Sequence, residues 1–289
     1  MIKLTIKQDD KLINYLTERE GLNYNKVQTF LRKRDIKVNN TRIKSDIPVC
    51  ENDEVIIFGK TDDFFKIETI YDDENIVIVN KPKKLEVVSS TRDIDLIKLI
   101  NPNFYAVHRI DYNTEGLVVI AKNKESYDEL LKIFKNRLIQ KKYLCVACGN
   151  LIKETLFKNY LISKSDGKVE VSSSSQKDAQ EILLNAKPIE TIENFCLLDV
   201  DLLTGKTHQI RAQLAFNGLQ ILGDEKYGNS KINKKYGYKN QVLASYFIKF
   251  KLNNEIKKLN YLNNKVFEIK DNNVVKIFNN LKSWKVKKI

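Results

Sequence analysis

Polar and apolar residues alternate from Met1 to Lys7, the pattern of a half-buried strand. From Asp10 the spacing changes. Asp10 and Lys11 open a helical pattern that puts Leu12, Tyr15 and Leu16 on one face. Asn25 is placed to cap a second helix, with Val27, Phe30 and Leu31 inward and Arg32, Lys33 and Arg34 outward. Residues 36–43 read as a tight hairpin, because Asn39 and Asn40 tolerate the positive-φ turn positions. Glu54 to Phe58 is a strand following the turn at Glu51-Asn52-Asp53. Residues 10–58 thus form a small unit whose basic helix end lies beside a basic hairpin carrying Lys37, a surface suited to a phosphate backbone.

Residues 59–68 lack periodicity and read as a linker. Beyond them Ile76 to Asn80 is a buried strand ended by Lys81-Pro82, and Asp95 to Leu99 a short helix. A polar loop, His108 to Leu117, runs into the apolar strand that contains Val118, Val119, Ile120 and Ala121. Lys124 to Asn136 is an amphipathic helix with Tyr127, Leu130, Leu131 and Phe134 inward. Gln140 to Gly149, Ala179 to Ala186 and Phe195 to Asp201 are strands, and Arg211 to Gly218 a helix with a glycine stop. Strands in runs with helices inserted predict an α+β fold with a mixed, mainly antiparallel sheet, not a doubly wound one. There is no glycine-rich phosphate loop and no internal repeat. The lysine-rich stretch Trp284 to Ile289 reads first as a solvated end and second as an extra phosphate contact.

At 289 residues the chain is long enough for about two domains on a prior of ~150 residues each. With 42% hydrophobic residues it is not disordered by composition. A formal charge of +13 points to a polyanionic partner, most simply nucleic acid. The weight of that charge is reduced by a general excess of Lys, Asn and Ile. No stretch resembles a signal peptide, and no apolar run approaches the ~20 residues of a membrane span, so a cytoplasmic protein without a membrane partner is expected. Cys145 and Cys148 have the spacing of a metal pair, but they fall in a strand-like run where residues three apart face opposite sides. Core cysteines and no metal are the expectation.

The two histidines of the chain, His108 and His208, both lie inside polar motifs: His108 to Leu117, and Leu203 to Arg211. Neither zinc ligation nor a serine triad is supported, for want of spaced ligands and of a nucleophile elbow. Asp111 remains: a single carboxylate beside a cation, presented at the mouth of a sheet. Such a carboxylate can attack an anomeric carbon or an electron-poor ring carbon. A glycosidase would need a second carboxylate, and Glu115, the only near one, sits in the same loop.

Two resemblances extend this reading. Asp10-Lys11-Leu12, Lys26 to Leu31, Lys37-Val38-Asn39 and Asn52 to Val55 resemble the alpha-L RNA-binding module named after ribosomal protein S-four, with Asn25-Lys26 for its usual Ser-Arg and Asn39-Asn40 for its usual Asn-Gly. Asn80-Lys81-Pro82, His108-Arg109-Ile110-Asp111 with Thr114-x-Gly116-Leu117, Lys142-Tyr143, Gly205 to Arg211 and Gly223-Asp224-x-x-Tyr227-Gly228 occur in the order and spacing of the RluA family of RNA pseudouridine synthases. The second resemblance spans roughly residues 70–250. Together they imply an RNA-binding domain over 1–60 and a pseudouridine synthase domain over 69–289, without cofactor.

The resemblance implies that Asp111 is the catalytic nucleophile or base, acting on the ribose or on the uracil ring. It implies that Tyr143 stacks on the flipped base and that Arg211 pairs with Asp111 to keep it ionised. Arg109 and His108 fall where they would contact RNA, and Leu243 near the apolar wall of the base pocket. Arg32, Lys33, Arg34 and Lys37 are the phosphate contacts of the amino-terminal module. His208 with Gln209 reads as structural, ordering the strand that carries Arg211. The chain departs from the family pattern at Glu115 (usually Ser or Thr), Gln213 (usually His) and Ala244 (where the motif is usually Leu-His-Ala). Glu115 is expected to turn outward or pair with a lysine. The implied substrate is structured RNA, large-subunit ribosomal RNA first and transfer RNA second, and the protein is expected to be a monomer. The competing reading is a non-catalytic RNA-binding or ribosome-assembly factor on the same fold.

Overall fold

The computed structural model describes residues 1–59, 65, 67–164 and 168–286, the last three of these by their backbone alone. Most of the linker expected over 59–68, and the side chains from Trp284 onward, lie outside the described residues. The chain divides into two compact units, one of Met1–Asn113 with Val118–Tyr127, the other of Thr114–Leu117 with Asp128–Ile289.

The first unit opens with β1 (Ile2–Thr5), a short helical segment through Leu12–Asn14 and Tyr15–Arg19, and α1 (Tyr24–Lys33). Then come β2 (Ile36–Val38), β3 (Thr41–Ile43) and β4 (Glu54–Ile57). The four strands form one antiparallel sheet in the order β1-β4-β2-β3. Leu12, Tyr15, Leu16, Val27, Phe30 and Leu31 are buried against Ile36, Val55 and Ile57, as their periodicity predicts. Asn39 and Asn40 take φ of 45° and 67°, the left-handed values the hairpin requires. The helix cap is Asn23, not Asn25. The Asn23 side chain accepts from the backbone N–H groups of Asn25 and Lys26, so the helix starts two residues earlier than its charge pattern suggests.

A second set of elements in this unit comprises β5 (Glu68–Asp72), β6 (Ile76–Lys81), α2 (Leu96–Ile100) and, from Val118 on, β7 (Glu115–Ala121). Asp95 caps α2 through the Lys98 N–H. β6 lies between β5 and β7 and is almost wholly buried. α3 (Lys124–Lys135) follows. Its inward stripe corrects the sequence reading: Leu131 is 39% exposed, and Ile133, with Leu130, is fully buried. The stripe runs through Ser126, Leu130 and Ile133, a four-and-three spacing that leaves Leu131 on the wet side.

The second unit is built on a sheet of β8 (Ile139–Cys148), β9 (Thr155–Ser163), β10 (Val169–Ser172), β11 (Gln180–Ile192), β12 (Phe195–Leu202) and β13 (Leu243–Phe250). Their order is β10-β9-β11-β12-β8-β13 and every pairing is antiparallel. Glu115 and Gly116, at the start of β7, pair in parallel with Ala244 and Ser245 of β13, which makes the sheet mixed. β14 (Val266–Glu268) pairs with β13 on its own account. α4 (Gln209–Phe216), α5 (Ser230–Tyr236) and α6 (Asn273–Val286) complete the unit. Cys145 and Cys148 are both buried in β8. One face of the sheet, with Leu144, Val146, Phe195 and Leu197, is covered by Val274, Phe278 and Leu281 of α6. The four-and-three spacing of those residues marks a helix that the Asn- and Lys-rich composition hides. Among the described residues no helix is long and apolar enough to cross a membrane.

Gly116 is where the strand of the polar loop meets its neighbour most closely. Its φ is +121°, and a Cβ there would stand 2.1 Å from the Ser245 carbonyl oxygen. Gly116→Ala is expected to destabilise the protein by about 3 kcal/mol, from backbone strain and displaced pairing. Urea unfolding monitored by circular dichroism checks this, and an unchanged midpoint refutes it.

Candidate active site

In the first unit the residues on either side of Asp111 are fixed while Asp111 itself stays half-buried. His108 comes first. Its Nε2 accepts the Val119 N–H at 2.9 Å, so the ring serves β7 as a backbone carbonyl would, with its proton on Nδ1. Arg109 is exposed, and Ile110 is buried. On the far side, the Tyr112 carbonyl accepts from the Leu85 N–H at 3.3 Å and from the Lys81 ammonium at 3.4 Å. That ammonium is fully buried and also donates to the carbonyls of Pro82 (2.8 Å) and Leu85 (2.6 Å). A buried ammonium needs such oxygens, so the Asn80-Lys81-Pro82 motif ties the end of β6 to the Asp111 loop.

The ring of Tyr112 is held as firmly as its carbonyl. The Arg92 guanidinium stacks on it at 3.9 Å. Burial pushes the phenol's pKa up, against the pull of Arg92, so it stays neutral. Gly21 approaches so closely that a Cβ there would lie 2.2 Å from the Lys84 carbonyl oxygen and 2.8 Å from the Tyr112 hydroxyl. Residues 1–58 also touch this region through the Thr5 N–H, which donates to Asp93 at 2.6 Å, and through Glu20, which accepts from the Ile94 N–H at 3.3 Å. Sequence reasoning found none of these contacts. Arg92 and Tyr112 carry no motif spacing of their own.

The basic residues of the amino-terminal segment gather at one end of α1. Arg32, Lys33 and Arg34 are exposed, and Arg34 closes the helix with φ +58°. Arg42 of β3 donates to the Arg34 carbonyl at 2.5 Å and lies 4.8 Å from the Phe58 ring, with Lys37 at 5.7 Å from the same ring. The hairpin and the helix end therefore make one cationic surface. Arg42 belongs to it, although the sequence did not single it out.

In the second unit the Gly205 to Arg211 and Gly223 to Gly228 motifs meet. Arg211 lies on α4, not on a strand as supposed for the ordering role of His208. Its guanidinium grips Asp224 in a fork, Nε to Oδ2 at 2.6 Å and Nη2 to Oδ1 at 3.0 Å. The Asp224 carboxylate is fully buried and also accepts the N–H groups of Lys226 (2.8 Å) and Tyr227 (3.0 Å). Burial alone would raise its pKa. The Arg211 fork and those two N–H donors outweigh it and hold the carboxyl below the usual range. The Tyr227 hydroxyl in turn meets His208 Nδ1 at 3.0 Å and accepts from the Val169 N–H at 3.2 Å. His208, at φ +55°, starts α4.

Along α4 runs a buried polar row. Thr204 donates to Gln209 at 2.9 Å, Gln209 to Gln213 at 3.2 Å, and Gln213 to Asn159 and to the Phe157 carbonyl at 3.0 Å each. Gln213, one of the departures from the family pattern, is thus a fully buried rivet between α4 and β9. Tyr143 is buried on β8, opposite Val200 and Ser245. Leu243 is buried at the start of β13, opposite Cys145. Glu115 accepts from Asn273 at 3.4 Å, and Thr114 accepts from Gln241 at 3.3 Å.

A family model described as RNA pseudouridylate synthase matches residues 75–216, a span that contains both polar motifs. A ribosomal large subunit pseudouridine synthase C of Rickettsia bellii is 31% identical over 271 residues, covering 82% of this chain and 90% of the relative. The chain belongs to the RluA family of RNA pseudouridine synthases. It is an RNA pseudouridine synthase, an isomerase. The same enzyme of Haemophilus ducreyi is 27% identical over 85% of this chain and 86% of its own. The solved structure of human RNA pseudouridylate synthase domain containing 1 shares the fold, with a TM-score of 0.57 at 19% identity over 68% of this chain and 81% of that one.

In this synthase the Arg211–Asp224 pair is the charged centre of its unit. Removing one partner strands the other. Asp224→Ala is expected to cost about 3–5 kcal/mol of stability. Because the folded carboxyl titrates below its usual range, the pair's contribution is complete above about pH 5 and is lost as the pH falls. Denaturation midpoints across pH 3–7 test this: the wild type should lose its advantage over Asp224→Asn at the acid end.

Proposed function

We propose that this synthase isomerises uridine to pseudouridine in large-subunit ribosomal RNA, with Asp111 as its catalytic carboxylate. The observation that carries the reading is the His-Arg-x-Asp loop, inside the family match, with Ile110 buried, Tyr112 clamped and Asp111 left half-buried between them. The reaction breaks the C1′–N1 bond, turns the uracil, joins C1′ to C5 and releases the C5 proton. Asp111 attacks either C1′ or the uracil ring, and the uridine must leave its stack to be reached. Tyr143 stacks on the displaced base, Arg211 supplies fixed positive charge for the ionised carboxylate, Leu243 is an apolar wall of the base pocket, and Arg109 and His108 belong to the RNA-facing loop. These roles rest on the family motifs.

Ribosomal RNA is favoured because the relatives cited above are named for the large subunit, and transfer RNA is second. We further assign residues 1–60 as an alpha-L RNA-binding module and 69–289 as the catalytic domain of a cytoplasmic monomer that needs no cofactor. The exposed Arg32, Lys33 and Arg34, with Arg42 and the half-buried Lys37 beside them, support that assignment.

Tritium release from RNA labelled at uridine C5 tests the chemistry. Wild type should release tritium from unmodified large-subunit ribosomal RNA, and Asp111→Asn should release none while still binding. Binding without release by the wild type would favour the assembly-factor reading, and release from transfer RNA alone would move the substrate. For the module, replacing Arg32, Lys33 and Arg34 together by Ala should flatten the salt dependence of RNA affinity, by about 0.7 in log–log slope for each lost single-strand phosphate contact. An unchanged slope places the RNA elsewhere.

A further inference from the structure

Several buried or half-buried cations in the family motifs have oxygen partners. Lys81 has three carbonyls, Arg211 has Asp224, and Lys142 has Asp199 at 2.8 Å. Lys141, the residue beside Lys142, has none among the described residues. It leaves the opposite face of β8 from Lys142 and the same face as Tyr143, two residues on. The Lys141 ammonium stands 5.7 Å from the centre of the Phe134 ring on α3. On another side is Gly205, where an added Cβ would lie 3.2 Å from the Lys141 nitrogen. Gly205, Lys206 and Thr207 are exposed, so the space beside the ammonium borders the surface. Burial pulls the pKa of Lys141 below that of an ordinary lysine, and no nearby carboxylate opposes the fall. Left as it stands, this ammonium costs stability. A half-buried charge without a counter-charge is a group that awaits one.

We propose that Lys141 is an anion-binding residue that takes a phosphodiester oxygen of the bound RNA, at or next to the nucleotide handled by Tyr143. Three features of the site fit a phosphate. The ammonium lacks a full negative charge, which a neutral uracil carbonyl would not supply. The missing side chain at Gly205 leaves room for an oxygen beside the nitrogen. Lys206, on the same exposed loop, adds a second cation at the entrance. The aromatic ring of Phe134 is the weak partner that holds the ammonium until RNA arrives. Placing the phosphate at the reacting nucleotide rests on the site reading of Tyr143. The anion site itself does not.

The test compares wild type, Lys141→Met and Lys141→Arg, using an unmodified large-subunit ribosomal RNA transcript as the binding probe. Lys141→Met should weaken binding by about tenfold and lower the salt slope by about 0.7. Its melting temperature should be at or above that of the wild type, because an uncompensated charge has been removed. Lys141→Arg should keep the slope. A reduced slope with an undiminished melting temperature supports the anion site; any other combination overturns it. A lysine that merely props up Phe134 or the Gly205 loop would lower the melting temperature and leave the slope alone. Both readouts are independent of turnover, so they stand whether or not Asp111 proves catalytic. A single-turnover assay then locates the phosphate: a fall in the chemical step with RNA saturating puts it at the reacting nucleotide, and a change in affinity alone puts it at a neighbour.

Discussion

A guanidinium and a carboxylate removed from water are stable together only if each remaining lone pair is also answered. At Arg211 and Asp224 that requirement organises the surroundings. The carboxylate takes two N–H groups from the turn that follows it, which bends the chain from Asp224 to Tyr227. The bend carries the Tyr227 hydroxyl to His208 and to the edge of β10. From the other side, Asn233 of α5 holds the same turn by its side-chain amide, at 3.0 Å from the Asp224 carbonyl and 2.7 Å from the Gly223 N–H. The start of α4, the turn and a sheet edge are thus fixed by one pair of charges. The pair also explains why two motifs far apart in sequence, one ending in arginine and one beginning in Gly-Asp, occur together.

The first unit solves a similar problem with a different cation. Among the acceptors of Lys81 are three backbone carbonyls, and one belongs to Tyr112. Carbonyl oxygens neutralise less charge than a carboxylate, but they are fixed by the backbone. The ammonium therefore acts as a spacer between the end of β6 and the polar loop. Arg92 stacked on the Tyr112 ring adds a second hold on the same residue. The residue that follows Asp111 is thereby held through both its carbonyl and its ring.

The legible parts of this chain were those with strict geometry. The hairpin at Asn39-Asn40 could be read because few residues accept two successive positive φ values. The α4 motif could be read because its polar side chains must be buried with exact partners. Packing was less legible. Leu131 and Ile133 are equally apolar, and only the helix phase set by Ser126 and Leu130 decides which is inside. α6 escaped notice because its buried residues, Val274, Phe278 and Leu281, are diluted by asparagine and lysine. β9 and β13 were also missed, although both are rich in apolar residues. The support of the Asp111 loop by Arg92 and Gly21 was invisible, since contacts between residues tens of positions apart leave no periodic trace.

The departures from the family pattern become simpler once the strand register is known. Glu115 stands where the family has Ser or Thr, and Ala244 where it has His. On the sheet these two residues are register partners, paired in parallel between β7 and β13. Side chains on directly paired residues share one face and compete for the same few ångströms. Where the family pattern would set a small polar residue opposite an imidazole, this chain sets a carboxylate opposite a methyl group. The bulk moves from one strand to the other, and the pairing on which Gly116 and Ser245 depend is kept. The carboxylate then finds a donor in Asn273, at the first residue of α6. At the amino end of a helix a negative charge is also favoured by the unpaired N–H groups. Two departures that read separately along the chain thus meet at one register position of the sheet.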